Sequence, residues 1–565
     1  MNIRRLMAYG LVAVSAALLW RAWTFEHPNL LNAAEPLTMA AESKQDFVPE
    51  TPSGTAASDT SAAVAHTTTA VRPLTVGDTK TFITLKTDVL TLLINPVGGN
   101  IVSAELNRYP AALGAAHATQ LFSPLPTQWY VAESGLTDVS KAPLVFHSTA
   151  TVYELHPGIP MLTVSLTAQA SNGLVLTKTY QLRRGDYTVH LNYTVRNQGK
   201  APWKGSLYTQ LERRDPPKAG EGSFYSRTYV GASYSEAKTP YKKLPFAEMN
   251  KVDLSETNLG GWVAMQQQYF LSAWIPASQS VVNHLYSRVL PSEGNLTPVY
   301  VVGFTGAPIT VGPGQQTEVG ATLFVGPAET GLLHVLAPGL DHAVDYGWLW
   351  PIAYGIFWVM SQCFRFLGNW GWSIVLTTIL IKIFFYSFSA KSFRSMAAMR
   401  ELQPKIQALR ERFADDRSAL SKATMELYRK EHVNPMGGCL PMLIQIPVFI
   451  ALYYVISESV ELRQAPFLLW IQDLSVQDPY YVLPILMGLS MLLQQWLTPS
   501  TGDPMQRRMM FLMPVIFTAF FFKFPAGLVL YWLVNNCVQS FQQWYVMKTY
   551  HEHRAKQLAK RHSKK

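Results

Sequence analysis

The sequence predicts a polytopic α-helical membrane protein that carries a large all-β domain outside the cytoplasm. Three observations carry that reading. Residues 348–546 are packed with Leu, Ile, Val, Phe, Trp and Met, whereas residues 25–346 are polar on average. The polar half alternates large apolar and polar residues with period two, the pattern of half-buried strands. Basic residues gather beside the apolar runs, at Arg4 and Arg5, at 391–430 and at 548–565, as cytoplasmic flanks do.

At 565 residues the chain is long enough for at least two folded units. Its three cysteines, Cys363, Cys439 and Cys537, all lie in or beside the apolar segments. An exported domain of this size can bury a core without disulfides. No Cys-x-x-Cys pair, histidine cluster or phosphate loop is present, so no metal and no cofactor is expected. The net charge of +10 is placed to set topology, not to hold DNA. Contact of the basic tail with ribosomal RNA is the second reading of that charge.

Taken in order, residues 6–20 form an apolar run after Arg4-Arg5. No small-x-small site closes the run, because Leu18-Leu19-Trp20-Arg21 stands there. An uncleaved anchor over 1–23 with a cytoplasmic N-terminus is expected, with a cleaved signal peptide as the alternative. Residues 24–70 are Ala, Thr, Ser, Glu and Pro with few large apolar side chains, and read as a flexible linker. The β domain is expected over 71–326, with alternating runs at 82–94, 152–166, 174–182, 187–195, 299–304 and 319–325, which suggests a large sandwich. Its histidines (His147, His156, His190, His284) form no catalytic set in the sequence and read as core or surface.

A connector over 327–369 ends in an aromatic-rich stretch, 346–367, expected as an amphipathic helix on the outer membrane face. Five spans come next, near 370–388, 436–456, 480–497, 509–522 and 526–546, forming a core over 370–546. The third and fourth fall short of the roughly 20 residues a span needs. The loop 391–430 is strongly basic, the loop 458–478 carries Glu458, Glu461, Asp473 and Asp478 against Arg463, and Arg507-Arg508 and the basic tail 547–565 come after them. That alternation gives six transmembrane spans with N- and C-termini in the cytoplasm. Within it, 397–413 and 418–432 have helical periodicity about Asp415-Asp416, which predicts a cytoplasmic helical hairpin over 390–433. It serves either as a solvated connector or as a contact surface for an incoming chain or ribosome.

Lys382 lies inside an apolar run, where a charge costs about 2.5–3.5 kcal/mol near the bilayer centre. Snorkelling toward cytoplasmic headgroups is one account of it. Polar residues on other spans point to another: Gln445, Gln494, Gln495, Asn535, Asn536, Gln539 and Ser540 must face one another or a wet cavity. Together they suggest a hydrated, cationic pocket open toward the cytoplasm.

Several motifs then resemble one family. They are Leu402-Gln-Pro-Lys-Ile-Gln407, Val433-Asn-Pro-Met-Gly-Gly-Cys-Leu-Pro-Met-Leu-Ile-Gln-Ile-Pro447, Val460-Glu-Leu-Arg-Gln-Ala-Pro-Phe467, Trp470-Ile-Gln-Asp-Leu-Ser475, Asp478-Pro-Tyr-Tyr481 and Phe524-Pro-Ala-Gly-Leu-Val-Leu530. In this order they are similar to signatures of the YidC/Oxa-type membrane insertases, in the Gram-negative form with a large periplasmic domain. The resemblance implies a periplasmic β-supersandwich, residence in the inner membrane, and insertion and folding of nascent membrane proteins alone or with the Sec translocon (SecYEG, SecDF). It implies no enzyme activity. It further implies that Lys382 supplies the charge of a hydrophilic groove, which captures acidic client tails, where the family more often has Arg. That exchange keeps the charge but loses the five-donor fork. Thr378, Gln445, Asn535, Asn536 and Gln539 would line the groove, and Ile446, Pro447 and Trp532, with Thr378, would lie along the client path. The ribosome would be met by the hairpin and tail. A transporter binding a small anion at Lys382 is the competing class, against which stands the lack of an inverted repeat. A tethered carbohydrate-modifying enzyme is a third and rests on fold analogy alone.

Overall fold

A computed structural model describes residues 82–140, 143–214, 228–236, 238–292, 296–413, 416–431, 433, 440–497 and 504–562. The chain divides into two compact units, Met1–Asp46 and Phe47–Lys565. The first, with the expected anchor and the first half of the linker, lies outside the described residues, as do the rest of the linker, the start of the β domain and the motif residues 434–439. The second holds every described residue.

Among the described residues, strand-forming sequence up to residue 327 builds two large sheets and a small two-stranded one that pairs Trp203–Gly205 with Ile309–Val311. The larger orders its strands Ser255–Leu259, Val282–Leu290, Val299–Thr305, Leu207–Arg214, Tyr130–Leu136, Asn100–Pro110, Leu90–Asn95, Ile83–Lys86 and Val152–Glu154, with Ala118–Phe122 beside Asn100–Pro110. The second runs Lys242–Leu244, Gly231–Tyr234, Val263–Gln267, Phe270–Pro276, Gln316–Pro327, Thr188–Asn197, Leu174–Arg183 and Met161–Gln169. Pairing is antiparallel except where Thr84 lies beside Val152. Antiparallel sheets can face water on one side, and strands such as Leu174–Arg183 alternate buried and part-buried residues accordingly. The largest side chains of this domain, among them Trp262, Trp274, Tyr180, Tyr193, Phe122, Phe304 and Phe324, are fully buried.

Two expected runs divide. Residues 82–94 form a hairpin because the Thr87 hydroxyl accepts from the amides of Val89 and Leu90 at 3.3 and 3.0 Å, a turn without Gly or Asn to announce it. Residues 152–166 break at Pro157-Gly158, where Gly158 has φ +84°.

The α-helices are α1 (Phe246–Met249), α2 (Thr330–Leu336), α3 (Trp350–Leu367), α4 (Trp370–Phe384), α5 (Tyr386–Arg412), α6 (Arg417–Lys430), α7 (Leu440–Glu458), α8 (Val482–Leu497), α9 (Pro504–Phe521) and α10 (Ala526–His562). Pro351 sits in the first turn of α3, where its missing N–H costs nothing, and Gly368 closes that helix in the left-handed region. Asn369 caps α4 by accepting from the Trp372 amide at 3.0 Å. Asp416 caps α6 through the amides of Ser418 and Ala419, both at 2.9 Å.

The expected first core span does not run straight to 388. It ends at Phe384, and α4 and α5 meet at Phe385 with a bend of 66°. No single described helix is long and apolar enough to cross a membrane; the bent α4–α5 pair passes that test together, and 444–458, 482–496 and 508–521 are shorter apolar stretches.

The β domain and the helices meet along the C-terminal end of α7. Thr228 donates to Glu458 at 2.9 Å and Gln268 to the Ser457 carbonyl at 3.2 Å. The hydroxyls of Tyr346 and Ser459 are 3.1 Å apart, and Arg463 donates to the carbonyls of Pro110 and Ala111 at 2.8 and 3.1 Å. Lys243 and Asp345 pair at 2.5 Å beside them.

Candidate functional site

Lys382 stands on the last turn of α4 and is 6% exposed. A buried ammonium needs acceptors, and two glutamines supply them. Its Nζ donates to Gln445 Oε1 of α7 at 3.2 Å and to Gln539 Oε1 of α10 at 2.8 Å. The Gln445 amide in turn donates to the Tyr531 hydroxyl, which is buried on α10. Gln542, one turn below Gln539, donates to the backbone carbonyl of Lys382 at 3.2 Å. Three helices thus converge on one cation. Gly371 allows the approach of α4 to its neighbours, since a Cβ there would sit 2.1 Å from the Phe467 ring.

Beside the ammonium is a cavity of about 20 Å³ lined by Lys382, Gln445, Phe385, Phe388, Ser389 and three aliphatic side chains. That is room for about one water. The bend at Phe385 brings Phe388 and Ser389 of α5 to the cavity wall. Three polar atoms nearby on α10 are buried without a protein partner: Asn535 Oδ1, Trp532 Nε1 and Gln542 Oε1.

The other expected residues divide. Thr378, one turn before Lys382, is buried and returns its hydroxyl to the Ile374 carbonyl at 2.7 Å. Asn535 lies one turn before Gln539 on the same helix face. Asn536 points elsewhere and donates to Ser490 of α8 at 3.0 Å. Trp532 joins an aromatic cluster, 4.8 Å from Phe449 and 5.3 Å from Phe521 between ring centres. Ile446 is 46% exposed and Pro447 lies beside it within α7. Tyr531 and Gln542 are additions that sequence reasoning missed. The signal for Gln542 was its i+3 spacing from Gln539 and i+7 spacing from Asn535 along a polar stripe of α10, whereas Tyr531 carried no such signal.

Two family models match the chain: the 60Kd inner membrane protein over residues 350–554 and the YidC periplasmic domain over residues 82–359. The chain is similar to a membrane protein insertase YidC of Coxiella burnetii (strain Dugway 5J108-111), 51% identical with 100% of each chain covered. It is 42% identical to a membrane protein insertase YidC of Legionella pneumophila (strain Corby), over 97% of this chain and 98% of the relative. A crystal structure of an active YidC insertase with its first transmembrane domain resolved is 17% identical, covers 82% of this chain and 92% of its own, and has a TM-score of 0.37.

Proposed function

The chain belongs to the YidC family of membrane protein insertases, and from that premise we propose that it inserts and folds other integral membrane proteins through a groove charged by Lys382. The observation that carries the proposal is the Lys382 ammonium held by Gln445 and Gln539 where α4, α7 and α10 converge. An ammonium has three N–H donors, so two acceptors leave one for an incoming carboxylate.

Magnitudes favour capture followed by release. An acidic side chain about 4 Å from the ammonium gains about 4 kcal/mol at an effective dielectric of 20. That is of the same size as the roughly 2.5–3.5 kcal/mol a charge costs at the bilayer centre, so the pair is held without being trapped. Short helices reduce the distance a polar tail must travel. At 1.5 Å per residue the 16-residue α8 spans about 24 Å, against a hydrocarbon core of about 30 Å, which favours local thinning. Leaving water, the client's apolar helix then gains roughly 25 cal/mol per Å². Exposed apolar side chains such as Trp496 (78%) and Val515 (58%) suit a lipid-facing belt.

In this reading the protein lies in the inner membrane with its β domain in the periplasm, six spans, a five-helix core and both termini in the cytoplasm. Thr378, Ile446, Pro447 and Trp532 lie along the client path. The chain works with or without the Sec translocon, and its basic hairpin and tail meet the ribosome.

The test is client insertion in reconstituted vesicles. Lys382→Ala is expected to lower insertion of single-span clients with acidic tails about tenfold, a loss of about 1.4 kcal/mol, while Lys382→Arg preserves it. Undiminished insertion by the Ala variant removes the charge from the mechanism.

A further inference from the structure

A second cavity, of about 410 Å³, lies where the β domain meets the outer ends of the helices. Its walls come from the end of strand Asn100–Pro110, the start of α2, the junction of α3 with α4, and the turn after α7. One side is an aromatic shelf. Trp370 stacks on Phe364 with ring centres 4.2 Å apart and planes 12° from parallel. The remaining lining is mostly polar and carries both signs of charge.

Its acidic residues are Glu461 and Glu329. Tyr109 donates its hydroxyl to Glu329 at 2.9 Å. Among the described residues neither carboxylate forms an ion pair. Burial, with Glu329's charge behind it, pushes the Glu461 carboxyl up to about 7. Its basic residues are Arg463 and Arg108. Arg463 spends one terminal nitrogen on the carbonyls of Pro110 and Ala111, which fixes its guanidinium over the Phe270 ring at 5.4 Å. Arg108 is held by Asp88 at 2.7 Å. A guanidinium has five N–H donors, so both arginines keep donors in reserve.

The position matters as much as the charges. Under the proposed topology, α4 enters the bilayer from its outer face at Trp370. α3 beside it presents Trp350, Trp358 and Phe366, the last 90% exposed. The cavity therefore lies at headgroup height, where indole rings and amphipathic helices settle. A ligand there must match a cation site, an anion site and an apolar shelf in one span. We propose that this cleft seats the headgroup of an outer-leaflet aminophospholipid, its ammonium toward Glu461 and Glu329, its phosphate toward Arg463 and Arg108, and its acyl chains along Trp370 and Phe364. A headgroup with a quaternary amine offers no N–H to the carboxylates, and an anionic one offers no cation at all.

The inference rests on the insertase topology but not on the Lys382 groove, and its test keeps the two apart. Full-length protein is equilibrated with phosphatidylethanolamine, phosphatidylcholine or phosphatidylglycerol of identical acyl chains, and retained lipid is counted by native mass spectrometry. Phosphatidylethanolamine is expected to be retained about fivefold over phosphatidylcholine, the ratio one partly exposed ion pair gives. Glu461→Gln, an isosteric change, should abolish that preference while phospholipid is still held. Trp370→Leu should lower retention of both lipids and leave their ratio unchanged. Equal retention of the three lipids, or an unchanged preference in Glu461→Gln, overturns the assignment. So does displacement by millimolar free phosphoethanolamine, which lacks acyl chains. Client insertion measured on the same preparations separates the readings. Lost lipid preference with Lys382-dependent insertion sinks the cleft alone, and insertion indifferent to Lys382 sinks the groove alone.

Discussion

Two lysines show how much a side chain's surroundings decide. Lys178 in the β domain has no exposed surface and forms no ion pair among the described residues. Its Nζ donates to the carbonyls of Gly98 and Ser134 at 3.3 and 3.2 Å and lies within 5.9 Å of the Phe146, Tyr180 and Tyr193 ring centres. Burial pulls its pKa down from 10.5 to about 7. The unfolded chain therefore binds the extra proton between pH 7 and 10.5, and domain stability rises with pH across that window. Lys178→Met should flatten the slope and raise the melting temperature at pH 7 by about 2–4 °C, the shift 1 kcal/mol gives in a domain of this size. A lowered melting temperature would show that the two carbonyl bonds outweigh the buried charge. At Lys382 the acceptors are side chains, so they can be removed singly. Gln539→Leu leaves the ammonium one partner and should reduce insertion of acidic-tailed clients severalfold, with Gln539→Asn in between. Equal insertion by wild type and Gln539→Leu would dismiss the glutamine as a positioning residue. Lys382 was legible in the sequence as a lone cation in an apolar run. Tyr531 was not, because a tyrosine in a span passes for one of its ordinary aromatics until Gln445 is seen against it.

Among the elements, prolines and breaks exchange places. Pro404, Pro447 and Pro514 lie inside helices that continue past them, whereas the 66° bend falls at Phe385, where no Pro or Gly marks it. Hydropathy reads through such a break because both sides stay apolar, and so the expected span ran on to 388. The hairpin was legible from its period and its Asp416 cap, but its partner was not. α10 continues past the apolar core, and its Arg554 pairs with Glu401 of α5, with His551 at 3.9 Å. Exposed pairs are worth about 0–1 kcal/mol and are screened by salt, so this contact should open readily. Spin labels on α5 and α10 should show a broadened distance in Arg554→Glu, narrowed again by adding Glu401→Arg. A distance unmoved by the single change would assign the contact to the Phe393–Val546 packing beneath it.

On the scale of the whole molecule, the strands and helices were legible as two halves, and the seam between them was not. It is made of single side chains on loops, which carry no period. Glu458 sits in it near Thr228, Asp345 and Lys243, and Glu461 faces Glu329. Burial raises both carboxyls from 4.5 to about 7. Docking therefore takes up protons. Its stabilisation is complete below about pH 4.5 and is lost as pH rises through 7. Amide exchange over 457–464, corrected for intrinsic rate, should be faster at pH 8 than at pH 6, and the difference should vanish in Glu458→Gln with Glu461→Gln. Equal protection at the two values would rule out this linkage. The seam also fixes what can slide. α7 is moored at Glu458 to a domain of roughly 250 residues, while Gln445, about 20 Å down the same helix, touches Lys382. Under the proposed insertion mechanism, one wall of the groove is thereby tied to a heavy mass outside the bilayer. On that reading a passing client is accommodated by yielding in α4, α8 or α9, with α7 as the fixed jaw of the machine and the others as the moving one.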